Sequence, residues 1–282
     1  MTANNTKYFL FSVNLQDLRL RIPGGEKYQE RVPLMVEKYL EFLNRHNSKC
    51  TWFVVGNVAR KYPSIIKMLT DEGHEIACHS DQHIPLTQMD KESFTADLKR
   101  NIEALVNAGA KNVMGYRAPL FSLTPATRWA YEVMEMQGIA YSSSVLPHPN
   151  PFYGWPNFGE EPRTVSHVLE IPMTLGQFFH LQVPIGGGTY FRLYNFWALK
   201  KNFERHFAEG RAVVSYFHPF DIDTGQERFM HPDVQGSKLY NALAYYNRGS
   251  VLPRLDNLMK EGLSIVPFRD YISEYKPSVV AG

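Results

Sequence analysis

The feature that most limits what this chain can fold into is an alternation of strand-like and helix-like stretches along nearly its whole length. Short apolar or β-branched runs bounded by turn residues occupy residues 8–13, 51–55, 75–78, 113–116, 168–171, 212–217 and 264–268, and they read as strands. Between them, Val32, Met35, Val36, Tyr39, Leu40 and Leu43 form one helical stripe. Phe94, Leu98, Ile102 and Leu105 form another, which stops before Gly109. Thr124 and Pro125 open a third helix that Gly138 closes, and further helices are predicted over 195–209 and 252–260, ended by Gly210 and Gly262. Strand followed by helix, six or seven times without a break in composition, predicts an α/β fold: about seven parallel strands curled into a distorted (β/α) barrel, with residues 1–282 as one domain.

Two stretches, 144–166 and 220–236, are rich in proline, glycine and aromatic residues and do not fit the alternation. Phe152, Tyr153, Trp155 and Phe158 either wall a sugar ring or pack their own loop against the barrel. Gly186-Gly187-Gly188 lacks the Lys-Ser/Thr and the opening helix of a phosphate loop, and reads as a tight turn. Thirty basic against twenty-eight acidic residues leave no electrostatic footprint for nucleic acid or an anionic membrane. The first thirty residues lack the leader, apolar core and cleavage site of a signal peptide, and no apolar run approaches the roughly 20 residues of a membrane helix. The expectation is a cytoplasmic protein without a transmembrane segment; oligomeric state is open. Cys50 and Cys78 sit in apolar runs and read as buried free thiols.

In a parallel barrel the chemistry gathers at the C-terminal ends of the strands. The polar residues at those ends are Asn14, Gln16 and Asp17 after the first strand, His79 and His83 after the third, Arg117 after the fourth, and His218 late in the chain. If the chain turns helical after Cys78, the four-residue spacing puts His79 and His83 on one face, where both rings reach one ion. A solvated helix with two histidines by coincidence is the plainer alternative. Ser80 could cap that turn or orient a ring. Two histidines with a carboxylate make a three-ligand site with an open position for water, and a separate histidine suits a general acid, so hydrolysis of an amide or ester is the natural reaction.

The pattern Thr51-Trp52-Phe53-Val54-Val55-Gly56, Gly73-His74-Glu75-Ile76-Ala77 with His79-Ser80-x-x-His83, Gly115-Tyr116-Arg117-Ala118-Pro119-x-Phe121-Ser122, Gly187-Gly188-Thr189-Tyr190-Phe191-Arg192 and Tyr216-Phe217-His218-Pro219 followed by Asp221 and Asp223 resembles the polysaccharide deacetylases of carbohydrate esterase family 4, the NodB homology family. It is most similar to the branch associated with exopolysaccharide and surface-glycan clusters. The resemblance implies a divalent metal, usually zinc, on His79 and His83, with His218 protonating the leaving amine and Arg117 orienting the base. It implies backbone near Tyr116 to Ala118 in the oxyanion site, and Tyr116, Phe121, Arg192 and Asn14 at the substrate. The substrate class implied is an acylated amino sugar in bacterial O-antigen or exopolysaccharide assembly, and the expected lack of an export signal points to a nucleotide- or lipid-linked form.

The first motif departs from the family. Where that branch usually carries Asp-x-Glu-Asp, this chain reads Asn14-Leu15-Gln16-Asp17. An amide is not basic near neutral pH and is a poorer zinc ligand than a carboxylate. Asp17, the remaining acid, is therefore expected as base or third metal ligand. Ser142 stands where the family often has an aspartate that tunes the catalytic histidine. Deacylation, a changed carbon–nitrogen reaction and carbohydrate binding without turnover are all compatible with the sequence.

Overall fold

The computed structural model describes residues 6–149, 153–178 and 181–274. Its strands are β1 (Lys7–Leu10), β2 (Ser12–Leu15), β3 (Thr51–Val54), β4 (Glu75–Cys78), β5 (Gly115–Tyr116), β6 (Tyr141–Ser142), β7 (Arg163–Val165), β8 (Val168–Glu170), β9 (Leu175–Phe178), β10 (Leu181–Pro184), β11 (Val213–Val214) and β12 (Leu263–Val266). A seven-stranded sheet runs in the order β2-β3-β4-β5-β6-β8-β7, parallel except for β7, and a second sheet runs β11-β1-β12, all parallel. β1 and β2 are halves of one bent strand around Phe11. The first half lies between β11 and β12; the second pairs with β3 and is bridged at Val13 to Phe217. That hand-over between sheets curls the assembly, and the barrel expectation holds.

Side-chain alternation gives the curl an inside and an outside. In register, Leu15, Val54 and Cys78 join the core cluster shared with Tyr39, Leu43 and Phe94 of the surrounding helices. One step back, Asn14, Phe53 and Ala77 lie in register on the other face, where Phe53 and Ala77 pack with Leu10, Tyr141 and Phe268. The helix Val32–Arg45 buries its predicted stripe completely or nearly so, each large apolar side chain contributing about 1.5–3 kcal/mol. The helix Lys91–Asn107 starts at a capping box made by Asp90 and Ser93.

Several elements differ from expectation. The predicted helix 124–138 is split into a 3-10 turn, Pro125–Thr127, and an α-helix, Ala130–Met136. Helix Gly56–Lys61 and the two-residue strand β6 are too short for a period to show, while helix Pro63–Asp71, opened by a proline and striped by Ile65, Ile66 and Leu69, is an element the predicted alternation lacks. The helices Phe196–Ala208, capped by Asn195, and Val251–Lys260 lie where predicted. Both cysteines are buried and free. Among the described residues no helix is long and apolar enough to cross a membrane.

His74 sits under the sheet with its Nδ1 accepting the Cys50 N–H at 3.2 Å, and burial pushes its imidazole down to about 4. An unfolded chain, with an ordinary histidine near 6.5, takes up that proton first as the pH falls. Stability tied to neutral His74 is therefore fully present above about pH 6.5 and is lost towards pH 4, by up to about 3 kcal/mol. His74→Gln keeps an acceptor without titrating. Its urea unfolding free energy should fall less steeply than that of the wild type between pH 6.5 and 4; equal slopes would show that His74 does not carry this pH dependence.

Candidate active site

Arg117, the residue after β5, is fully buried and has no ion-pair partner among the described residues. Neutral oxygens hold it instead. Its Nη1 donates to Ser12 Oγ (2.7 Å) and Asn14 Oδ1 (3.0 Å), Nε to the Ser143 carbonyl (3.0 Å) and Nη2 to Ser143 Oγ (3.0 Å). Its guanidinium also lies 4.0 Å from the centre of the Phe53 ring, and burial lowers its pKa to about 9. The resemblance assigned Arg117 to orient the base; here it orients the amide of Asn14.

That bond decides what Asn14 shows to its other neighbour. With Oδ1 turned to the arginine, the Asn14 Nδ2 amide group faces His218 Nε2 at 3.4 Å. Two donors cannot face each other, so Nε2 presents its lone pair. On the other side of the ring, Nδ1–H donates to Asp221 Oδ2 at 2.9 Å, and the same oxygen accepts the His218 backbone N–H at 2.8 Å. Asp221 is fully buried and 3.2 Å from Arg192 Nη2. Burial works to raise its carboxyl, yet the Arg192 charge and the His218 hydrogen bond hold it below the usual carboxylate range. The tuning acid expected to be missing because of Ser142 is thus supplied by Asp221, whose motif is visible in the sequence without its role. Ser142 Oγ instead donates to Ser144 Oγ.

His79 and His83 come together, but not on a helix. The chain after β4 is an irregular loop in which Ser80 and His83 take left-handed backbone angles, φ 67° and 59°. The rings sit edge to face with centroids 4.9 Å apart. Asp97 shapes the loop by accepting the Asp81 N–H at 3.0 Å and the Ser80 hydroxyl at 3.3 Å, and Ser80 Oγ in turn accepts the Ile84 N–H. His79 Nδ1–H donates to the Arg117 carbonyl at 2.8 Å, so its Nε2 is unprotonated in the neutral ring. His79 Nε2 and His83 Nδ1 are buried without a hydrogen-bond partner. Burial pushes His79 down to about 3 and holds His83 well below the usual histidine range, with the charges of Arg21 and His218 adding to the effect on both.

The expected third ligand is elsewhere. Asp17 caps the 3-10 turn Leu18–Arg21 and gives both oxygens to Arg19, at 3.1 and 2.6 Å, and one also to Tyr62 OH. In this arrangement it does not join His79 and His83 as the third ligand that the sequence expectation placed there. Gln16 Oε1 accepts from Arg21 Nη1 at 3.2 Å. Among the described residues no group of three His, Cys, Asp or Glu side chains is placed to hold a metal ion. Two imidazoles without a carboxylate, in the field of a guanidinium, do not fit the resident divalent ion that the resemblance implied.

Other assignments shift too. Tyr116 points into the outer core against Phe94, ring centroids 5.3 Å apart, and not towards a substrate. The backbone N–H groups proposed for an oxyanion site are engaged, Arg117 N–H with the Cys78 carbonyl and Ala118 N–H with Ser144 Oγ. Arg192 is buried and serves Asp221 instead of a substrate. Phe121 remains half-buried at the mouth, edge to face with Tyr216 and 5.9 Å from Arg117. In the loop 144–166, Trp155 packs on Phe158, and Arg163 covers the Phe158 ring at 3.6 Å, so these aromatics line their own loop; Phe152 lies outside the described residues.

Residues 27–139 match the family described as polysaccharide deacetylase, and residues 143–269 match a domain of unknown function, DUF3473. The chain is 33% identical over 88 residues to a peptidoglycan-N-acetylglucosamine deacetylase of Bacillus cereus, covering 31% of this chain and 30% of that one. It is 32% identical over 76 residues to a chitooligosaccharide deacetylase of Rhizobium leguminosarum bv. trifolii, covering 27% and 35%. These matches span about a third of the relatives' length. In fold, the chain is similar to a Mycobacterium smegmatis protein assigned to the polysaccharide deacetylases (TM-score 0.64, 17% identity, covering 100% of this chain and 96% of that one). It is also similar to a carbohydrate esterase family 4 pseudoenzyme from Bacillus anthracis (TM-score 0.52, 11% identity, 95% and 66%).

The glycine run positions this site by close approach. A Cβ on Gly186 or Gly187 would run into the backbone carbonyl of Val214 or Tyr216, on the stretch leading to His218; the next helix, Gly188–Leu193, carries Arg192. Gly187→Ala should lower stability by about 1–3 kcal/mol in urea unfolding. An unchanged midpoint would show that the two segments are not in tight register.

Proposed function

We propose that the chain is a member of the NodB-homology polysaccharide deacetylase family that hydrolyses an N-acyl group, acetyl or formyl, from an amino sugar used in a bacterial surface polysaccharide such as an O-antigen or exopolysaccharide. The observation that carries this reading is the His218–Asp221 pair, its acid fully buried and its imidazole 16% exposed. A histidine held in this tautomer can take a proton from water as the water adds to the acyl carbonyl, and return it to nitrogen as the C–N bond breaks. The products are a carboxylate and a free amino sugar. Asp221 steadies the imidazolium between the two transfers, and Arg192 keeps Asp221 ionised. His218, read from the sequence as an acid only, takes both parts because Asn14 cannot act as the base. Asn14 fixes the ring, and Phe121 offers an apolar face at the mouth. No step is assigned to a metal, because the donor set does not complete a site for one.

A second reading, carbohydrate binding without turnover, is favoured by one observation: among the described residues no carboxylate joins His79 and His83 where the family's acids would be. Release of acetate or formate separates the two readings. An acylated amino sugar should be offered as an oligomer, on a nucleotide carrier and on a lipid carrier, which also identifies the form used. Wild-type protein should release acid from one of them. His218→Ala should abolish release, and Asp221→Asn should lower kcat by roughly 10²–10⁴-fold with sugar binding retained. Binding with no release from any form would replace the first reading with the second.

A further inference from the structure

Arg21 is placed unlike the other charges near the site. It ends the 3-10 turn after the first motif, and its guanidinium is gripped end-on by Asp233, Nη2 to Oδ1 at 2.5 Å and Nη1 to Oδ2 at 2.8 Å. Nη1 also donates to Gln16 Oε1. Side-chain alternation along the first strand puts Gln16 on the same face as Asn14, and the pairing of Leu15 with Val54 and Val54 with Cys78 puts Gln16 at the level of His79. No hydrogen bond among the described residues uses Nε–H or the second hydrogen of Nη2. The guanidinium therefore keeps a side edge of two donors open.

The loop 220–236 makes this placement. Asp233 lies in the 3-10 turn Pro232–Val234, where its N–H bonds to His231 Nδ1 at 3.2 Å. The His231 ring packs edge to face on Phe220, and Phe220 stacks on His218 with centroids 4.6 Å apart and planes 10° from parallel. One loop thus touches His218 on one side and fixes Arg21 on the other. Arg21 remains 17% exposed, so a ligand can reach it.

We infer that Arg21 takes the place of the metal ion in this chain: its guanidinium, fixed by Asp233 and Gln16 beside His79 and His83, is the cation that receives the acyl carbonyl oxygen of the sugar. The chemistry is complementary. Nε–H and Nη2–H are donors for the oxygen, whose charge grows as water adds, and the neutral imidazoles of His79 and His83 bring no competing positive charge. The replacements at positions 14 and 16 then belong together. Asn14 keeps Arg117 and His218 in place without acidity, and Gln16 holds an arginine where an acid would attract a metal. The inference deepens the deacylase reading and rests on it, although its metal arm can be decided without turnover.

The test combines zinc analysis with kinetics on the full chain. After exposure to zinc and dialysis without chelator, wild-type protein should retain well under one equivalent. The double variant Gln16→Asp, Arg21→Ala, which supplies an acid and removes the cation, should retain about one. One equivalent in the wild type, lost in His79→Ala, overturns the inference; so does a folded double variant that stays free of zinc, folding being read by circular dichroism. In the presence of chelator, wild-type release of acetate from an N-acetylglucosamine oligomer should persist. Arg21→Ala should lower kcat about 10²–10³-fold with KM little changed, and Arg21→Lys should recover part of it. Loss of wild-type release on chelation, or unchanged kcat in Arg21→Ala, overturns the role of Arg21. Absence of release from every substrate removes the deacylase reading, and the zinc comparison still decides whether Arg21 and Gln16 exclude the ion.

Discussion

A guanidinium buried at the mouth of a barrel, held by neutral oxygens in place of a carboxylate, sets the terms for everything around it. Removing an arginine from water costs several kcal/mol unless its hydrogens and charge are met. Arg117 meets that cost with Ser12 Oγ, Asn14 Oδ1, the Ser143 carbonyl and hydroxyl, and the face of Phe53. Those contacts tie the first strand, the segment after β5 and the segment after β6 to one point. They also fix which end of Asn14 looks at His218. An arginine suited to serving an acidic base here turns the amide that faces a histidine.

The same logic of paired charges explains the rest of the mouth. Asp17, the only acid in the first motif, is drawn to Arg19 because the two are neighbours on a 3-10 turn and Tyr62 completes the acid's hydrogen bonding. Asp221 is shared by Arg192 and His218. Asp233 is committed to Arg21. Each of these carboxylates has a cationic partner, and the two imidazoles of the loop after β4 are left neutral with nitrogens unpaired. Such a site sets donors from arginine and asparagine beside neutral histidines, a combination suited to a neutral polar ligand with carbonyl and hydroxyl oxygens.

Much of the barrel was legible because strands and helices leave periodic traces: the seven predicted strands and the long helices lie where the apolar patterns put them. Elements too short to show a period, such as Tyr141–Ser142 and Gly56–Lys61, left none. In the site, His79, His83, Arg117 and His218 were legible from their places after the strands. Partner choice was not. Nothing local in the sequence says that Arg192 is buried behind Asp221 or that Tyr116 faces the outer core. Those outcomes depend on which distant residues the fold brings near. The histidine pair shows both sides of this: the residues were found, but the expected helix is a loop with two left-handed residues, shaped by Asp97 from a distant helix.

Asp221 accepts the proton that His218 carries on Nδ1, and Arg117 turns the Asn14 amide towards the bare Nε2. Nitrogen-15 NMR of the imidazole side chains at neutral pH, with His218→Gln to assign the signals, reads that tautomer without any need of turnover. The His218 ring should be in the Nδ1–H form, and Asp221→Ala should lose the fixed tautomer while Asn14→Ala keeps it. A ring protonated on Nε2 in the wild type would contradict this arrangement, because the amide of Asn14 and the imidazole would then present hydrogens to each other.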